Sequence, residues 1–337
     1  MINHALFHIR ESSAVAGARR EVTGLARAAG FDESEIGRVA LVVTEAATNL
    51  VKHALQGQLL ARVFDRNGVA VIEVLALDQG PGIPSIGESM RDGYSTTGSL
   101  GTGLGAIKRL SDEFDIYSVP GKGVALLAQL WSRRAPSGNR PPPLDIGAVC
   151  LPLNGEAVNG DAWAVEWRSG HCMILVVDGL GHGATAAPAA MAAVAAFQTH
   201  PQLEPAALIE YAHGALRGTR GAAMAVADID LAGEVKYAGI GNISGVISAP
   251  GGARHMVSHA GIVGHEARKI QEFVYPWSQD SLLVMHSDGL ATHWNLDQYP
   301  GLAGRRPGLI AGVLYRDFTR GRDDVTVVVA KKNSERA

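Results

Sequence analysis

The stretch LVVDGLGHG, residues 175–183, carries the decisive pattern of this chain. An apolar run, Met173 to Val177, ends abruptly in Asp178; glycines and a histidine follow, and an Ala-rich segment begins. This reads as a buried strand whose end delivers a carboxylate into a turn ahead of a helix. A bare carboxylate in that place is costly unless something positive sits against it. Two other stretches repeat the pattern. LLVMHSDG, 282–289, ends in Asp288 and Gly289, and GRDDVTVVV, 321–329, opens with Asp323 and Asp324 before a Val-rich strand. A single aspartate so placed is commonly an N-cap or a turn former. Three, each beside a glycine or a second aspartate, point to an oxygen-only set suited to hard cations such as Mg²⁺ or Mn²⁺.

At 337 residues the chain exceeds what one hydrophobic core usually serves, so two domains are expected. Lys plus Arg (30) nearly balances Asp plus Glu (33), which gives no electrostatic case for nucleic acid or an anionic membrane. The two cysteines, Cys150 and Cys172, lie in apolar surroundings and read as buried free thiols. The N-terminus has no apolar run long enough for a signal peptide. The Ala-rich run 184–197 is too short to span a bilayer and contains Pro188. A soluble, cytoplasmic protein is expected.

Residues 33–55 place Ile36, Val39, Ala40, Val43, Ala46, Ala47, Leu50 and Val51 at helical spacing, an amphipathic helix. Glu45, Asn49 and His53 fall at i, i+4 and i+8 beside that stripe. Strand patterns follow at 59–64 and 69–77, the second ending in Asp78 and the turn DQGPGI. Gly80 and Gly82 let backbone approach a ligand closely there. In 91–110, Gly98, Gly101, Gly103 and Gly105 precede an apolar helical pattern. A Gly-rich segment opening into a helix N-terminus is a natural phosphate cradle. It is neither a dinucleotide-binding turn nor a P-loop, since GKS/T is absent. Strands at 113–119 and 123–131 close the unit.

EAATN at 45–49, DQGPGI at 78–83 and GTGLGAIKRLSDEFDIYSVPGKG at 101–123 resemble the N, G1 and G2 boxes of the GHKL ATPase superfamily. Within it, the chain resembles the anti-sigma-factor-type and stressosome switch serine kinases. The resemblance implies an α/β-sandwich (Bergerat) fold binding ATP·Mg²⁺. It implies that Asp78 bonds the adenine amino group, Asn49 holds Mg²⁺ and Glu45 is the general base. Gly80, Gly82, Gly101, Gly103 and Gly105 would shape the nucleotide pocket. The family's Thr after GKG is Val124 here, which removes one adenine contact.

Residues 134–143, polar and Pro-rich, read as a semi-rigid linker between a domain at 1–133 and a second at 144–333. The second shows strand patterns at 145–150, 161–168, 171–177, 222–229, 234–240, 244–248, 254–258, 270–275, 281–287 and 324–330. Its helical patterns lie at 184–199, 204–217 and 306–318. The overall class is therefore α+β, the second domain a β-sandwich flanked by helices. GD at 160–161, VVDGLGHG at 176–183, AGIGN at 238–242, HSDGL at 286–290 and RDDVT at 322–326 resemble the PPM-type metal-dependent phosphatases of the bacterial sporulation and stressosome branch. That resemblance implies two Mn²⁺ or Mg²⁺ ions on Asp178, the Gly179 carbonyl, Asp288 and Asp323, with Asp161 and Asp324 as supporting groups or further ligands. His182 is a candidate proton donor. The phosphate-gripping Arg that larger relatives carry near the first strand is missing.

Together these imply a bifunctional partner-switching regulator. Its kinase-like domain would phosphorylate a serine or threonine of a STAS-domain protein, and its phosphatase domain would remove such a phosphate. The setting would be sigma-factor control or a stressosome-like assembly, with homodimerisation plausible by resemblance. The alternative is a phosphatase whose N-terminal domain is an ATP-gated docking module without kinase activity.

Overall fold

The computed structural model describes residues 3–90, 103–132 and 142–333. The chain divides into two compact units, one of Ile2–Pro141 with Gly304–Arg316, the other of Pro142–Ala303 with Asp317–Ala337. Among the described residues no helix is long and apolar enough to cross a membrane.

The first unit contains β1 (Ala5–His8), α1 (Ser12–Ala28), α2 (Glu33–His53), β2 (Gln58–Arg66), β3 (Val69–Leu77), α3 (Ile86–Ser89), α4 (Gly103–Leu110), β4 (Glu113–Ser118) and β5 (Val124–Trp131). Its strands form one antiparallel sheet in the order β1-β2-β3-β5-β4. The α2 helix starts at a capping box: Asp32 accepts from the Glu35 amide, and the Glu35 carboxylate accepts from the Asp32 amide. Its apolar stripe, Val39, Val43, Ala46 and Leu50, packs with Ile72, Val74 and Ala76 of β3. No element before residue 33 is expected from the sequence, yet β1 and α1 are there. The buried stripe of α1 is only Ala18, Val22 and Ala26, narrow and small, and so a weak periodic signal.

Strand β3 is apolar on both faces, and eight of its nine residues are buried. Ile72, Val74 and Ala76 face the helices, so Val71, Glu73, Leu75 and Leu77 lie on the other side. In the middle of that second face, Glu73 stands in register with Arg62 of β2 and Gln129 of β5. Arg62 Nε donates to its Oε1 at 2.7 Å and Gln129 Nε2 to its Oε2 at 2.7 Å. The helix expected at 306–318 runs Pro307–Phe318 and, through Arg316, belongs to this first unit. It lies on the second face of the sheet. A Cβ at its Gly308 would sit 3.0 Å from Leu127 and 3.1 Å from Glu73 Oε2, and one at Gly312 would sit 3.2 Å from Leu77. Two glycines one helical turn apart thus let the helix approach the sheet closely.

The second unit contains β6 (Leu144–Leu151), β7 (Asp161–Arg168), β8 (His171–Gly179), α5 (Gly183–Thr199), α6 (Pro205–Ala215), β9 (Ala222–Asp230), β10 (Glu234–Ile240), β11 (Ser244–Ala249), β12 (Gly252–His255), β13 (Phe273–Pro276), β14 (Leu282–His286) and β15 (Val325–Lys332). With these counted, the helix Pro307–Phe318 is α7. Two antiparallel sheets, β13-β10-β9-β8-β7 and β12-β11-β14-β15-β6, make the sandwich. Alternation along β8 sets the layers. Cys172, Ile174 and Val176 pack toward Leu283 and Met285 of β14 and Val328 and Ala330 of β15. Met173, Leu175 and Val177 pack against Ala189, Ala193 and Phe197 of α5 and Leu208 and Ile209 of α6. Strands β12 and β13 lie a few residues from the expected ranges because both are four-residue edge strands with little buried pattern to read. Both cysteines are buried and free.

Candidate functional sites

In the first unit the N-terminal turn of α4 meets the Glu45–Asn49 face of α2. A Cβ at Gly103 would lie 3.2 Å from Glu45 Oε2 and 3.3 Å from Asn49 Oδ1, so only a glycine leaves that space to a ligand. Asp78 follows β3 and is buried. Its amide donates to the Val124 carbonyl at 2.9 Å, and its Oδ1 accepts from the Gly80 amide at 2.6 Å. Burial pushes its pKa up, opposed by the Gly80 amide and by Arg316. Gly80 is required because a Cβ would lie 2.6 Å from the His53 carbonyl oxygen, and Gly82 because its φ is +73°. Gly123, also at φ +73°, has its Cβ position occupied by the Asp78 carbonyl oxygen. Gly105 is buried within α4. Gly98, Gly101 and the rest of 91–102 lie outside the described residues. The structure thus brings Glu45, Asn49 and Gly103 together and builds a tight turn around Asp78.

In the second unit five carboxylates stand at four strand ends. Asp178 of β8 is the register partner of Asp161 of β7. Asp288 follows β14, and Asp323 and Asp324 precede β15. Asp161 is fully buried; Ser287 Oγ donates to its Oδ2 at 2.6 Å. Asn242 Nδ2 donates to Asp288 Oδ2 at 2.6 Å. Burial pushes Asp178 up to about 9, reinforced by the charges of Asp161, Asp288, Asp323 and Asp324. Asp161 rises to about 8 by burial and by Asp324 and Asp323, against the Ser287 hydrogen bond. Asp323 rises too, through burial and its acidic neighbours, with His182 opposing.

The two adjacent aspartates have different partners. Asp324 Oδ1 accepts from Leu153 N at 2.7 Å, and its Oδ2 from Gly160 N at 2.7 Å and Gly183 N at 3.0 Å. It clamps the segment after β6, the start of β7 and the first turn of α5, and three of its acceptor positions are spent on backbone. Asp323 accepts the neighbouring Asp324 amide at 2.9 Å and is half-buried. Gly179 is needed because its Cβ would meet the Ala186 carbonyl of α5. His182 is the N-cap residue of α5 without a side-chain cap bond, and its Nδ1 lies 3.2 Å from Glu156 Oε1.

No metal ion is part of the structure, and the fit of the site to one rests on its donors. Among the described residues, no three His, Cys, Asp or Glu side chains converge as a ready-made cage. The donors are nonetheless all oxygen, and the carboxylates are near enough to raise one another's pKa, a repulsion that a hard divalent cation would relieve. Asp178, Asp288, Asp323 and the Gly179 carbonyl are the groups that could hold it.

Several supporting residues escape a sequence reading. Ser287 and Asn242 lie inside the quoted motifs, but their bonds to Asp161 and Asp288 are long-range. Arg220 supplies a basic group next to the Asp178 turn: a Cβ at Gly181 would lie 3.6 Å from its Nη2. Arg316, which donates from Nη1 to the Asp78 carbonyl at 3.0 Å, is 238 residues from its acceptor and has no local signature.

Comparison with known proteins also finds two domains, with α7 inside the second match rather than the first. Residues 10–129 match the family model of the histidine kinase-like ATPase domain, and 168–333 that of stage II sporulation protein E (SpoIIE). The serine/threonine-protein kinase RsbT of Bacillus subtilis (strain 168) is 40% identical over 120 residues, 35% of this chain and 90% of that protein. The anti-sigma F factor of Caldanaerobacter subterraneus subsp. tengcongensis is 32% identical over 95 residues, 26% of this chain and 65% of that protein. A solved structure from work on the bacterial stressosome as a modular system shares 29% identity at a TM-score of 0.52, covering 56% of this chain and 99% of its own. The fold of RsbX, solved in complex with magnesium, is alike at a TM-score of 0.51 and 19% identity, covering 58% of this chain and 98% of its own. With Glu45, Asn49 and Asp78 standing where the first match runs, and the five aspartates spread through and just ahead of the second, the chain belongs to the histidine kinase-like ATPase family that includes RsbT, joined to a SpoIIE-type metal-dependent phosphatase domain.

Proposed function

We propose that this partner-switching regulator phosphorylates a serine or threonine of a STAS-domain protein with ATP and removes phosphate from phosphoserine or phosphothreonine at its second site. The observation that carries the reading is the presence of two separate polar sites in one chain. Glu45 and Asn49 share one face of α2 beneath Gly103. Asp161, Asp178, Asp288 and Asp323 mark the second, with raised pKa values at Asp161, Asp178 and Asp323.

In the first site Asn49 would hold the Mg²⁺ of ATP, Asp78 would orient the adenine, and Glu45 would take the proton of the attacking hydroxyl. In the second, a pair of Mn²⁺ or Mg²⁺ ions would supply an activated water for attack on the phosphoryl group. The chain's own residues have definable tasks. Asp161 stays anchored through Ser287, Asn242 orients Asp288, and Asp324 fixes the backbone that presents Gly160 and Gly183. His182, half-exposed beside Glu156, would be the candidate to give a proton to the leaving alkoxide. The partner belongs to sigma-factor or stressosome-like signalling, and a homodimer is compatible with either domain.

The test uses a purified STAS-domain protein encoded beside this one, with labelled ATP·Mg²⁺. Label accumulating on the partner with Asp178→Asn but not with wild type supports both activities on one substrate. If neither protein transfers label while wild type strips a pre-phosphorylated partner, the first unit is a docking module. Glu45→Ala separates the same readings: a kinase loses transfer and keeps ATP, a docking module is indifferent.

A further inference from the structure

The nucleotide-site turn of the first unit is held by a residue from the far end of the sequence. Arg316 is buried on α7 and donates from Nη1 to the Asp78 carbonyl at 3.0 Å. The bond is returned one residue on, where Gln79 Nε2 donates to the Arg316 carbonyl at 3.3 Å. Gly123 closes over the same Asp78 carbonyl, leaving no room for a side chain. Asp78 is therefore fixed on its backbone side by Arg316 and on its carboxylate side by Gly80.

The N-terminal end of α7 is fastened to the same unit. The Arg306 amide donates to Asp115 Oδ2 at 2.8 Å, Arg306 Nη1 to Glu113 Oε2 at 2.5 Å, and Arg305 Nη1 to Asp115 Oδ1 at 3.3 Å. Gly308 and Gly312 seat the helix on β3 and β5. Past Arg316 the chain enters the second unit at once. There the Phe318 carbonyl accepts from the Ala291 amide at 2.9 Å, and the Arg320 amide donates to the Gly289 carbonyl at 2.8 Å. Gly289 is next to Asp288, and Asp323 follows Arg320 by three residues. The end of α7 thus leads directly into a short, hydrogen-bonded length of chain that borders Asp288 and Asp323.

We propose that Arg316 is a positioning residue of the nucleotide site, and that through α7 nucleotide occupancy changes the phosphatase rate. The inference rests on the function proposed above. The coupling must be reciprocal: what holds α7 in place also favours nucleotide binding.

The test uses the full chain with three measurements: affinity for a fluorescent ATP analogue with Mg²⁺, phosphatase rate on a phosphoserine peptide with Mn²⁺, and the ratio of that rate with and without saturating nucleotide. Losing a charge-assisted bond at the Asp78 turn raises the analogue's Kd about tenfold in Arg316→Met. Arg316→Lys, whose single ammonium cannot reproduce the guanidinium fork, falls between the two and keeps the test decidable if the Met variant does not fold. The wild-type ratio departs from unity by about fivefold or more, and both variants move it toward unity. Wild-type affinity in both variants overturns the assignment of Arg316. A wild-type ratio of one overturns the coupling. A wild type that binds no nucleotide, or leaves the peptide untouched, overturns the underlying function and this inference with it.

Discussion

Asp324→Ala removes a carboxylate that accepts three backbone amides, from Leu153, Gly160 and Gly183. Gly160 and Gly183 are buried, so those two N–H groups have no ready access to water after the substitution. Each buried donor left unpaired costs about 1–3 kcal/mol, and the bonds lost were to a charged group. With Leu153 half-buried and able to recruit water, the net loss is about 4 kcal/mol. For a unit of this size that lowers Tm by about 12 °C. Asp324→Asn does little better, because its amide NH₂ must face one of the amides it replaces an acceptor for. The assay is thermal unfolding of the full chain in EDTA, followed by circular dichroism, with a parallel series in Mn²⁺. A clamp loses its stability in both series. If Asp324→Ala unfolds within about 2 °C of wild type in EDTA, below the shift of a single kilocalorie, and loses stability only in Mn²⁺, then Asp324 is a metal ligand and the clamp reasoning is wrong.

Glu73 is held down to about 2: burial would raise it, but the Arg62 guanidinium, His4 and the Gln129 amide outweigh that. Its stabilisation, about 3 kcal/mol, is complete above pH ~4.5 and is lost as pH falls from there toward 2. Hydrogen exchange of the β3 amides will therefore accelerate between pH 5 and pH 3 more in wild type than in Glu73→Gln, relative to the intrinsic exchange rate; equal acceleration would count against the assignment. Gly123→Ala forces a side chain into left-handed backbone and against the Asp78 carbonyl, so ATP-analogue affinity measured by calorimetry falls at least about tenfold with the phosphatase unit's unfolding unchanged. Arg220→Ala raises KM for a phosphoserine peptide about tenfold with a smaller effect on kcat, since it removes a cation beside the Asp178 turn; an unchanged KM removes it from substrate binding.

Much of both candidate sites was legible in the sequence because their residues sit where local patterns change. Asp78, Asp178 and Asp288 each terminate an apolar strand, and Asp323 precedes one, so the strand periodicity that fixes an element also locates its carboxylate. The helix face of Glu45 and Asn49 follows from α2's own stripe. The resemblance set Asp324 apart from Asp323 as a supporting group, but what it supports did not follow, because only the tertiary fold brings the Leu153, Gly160 and Gly183 amides to its carboxylate. Nor did the narrow stripe of α1 announce itself, and the edge strands β12 and β13 were legible only with shifted bounds, being short and exposed.

Strand order and the place of α7 belong to the tertiary structure alone. VAVIEVLAL at 69–77 does state that its strand is covered on both faces, since Val71, Leu75 and Leu77 alternate with Ile72, Val74 and Ala76. It cannot state what covers them. A helix more than two hundred residues downstream takes that place, with Gly308 and Gly312 against Leu127 and Leu77 and Arg316 on Asp78. Periodicity is a property of neighbours along the chain and specifies which face of an element is apolar. The partner of that face is chosen by packing among segments distant in sequence, and no local pattern encodes it.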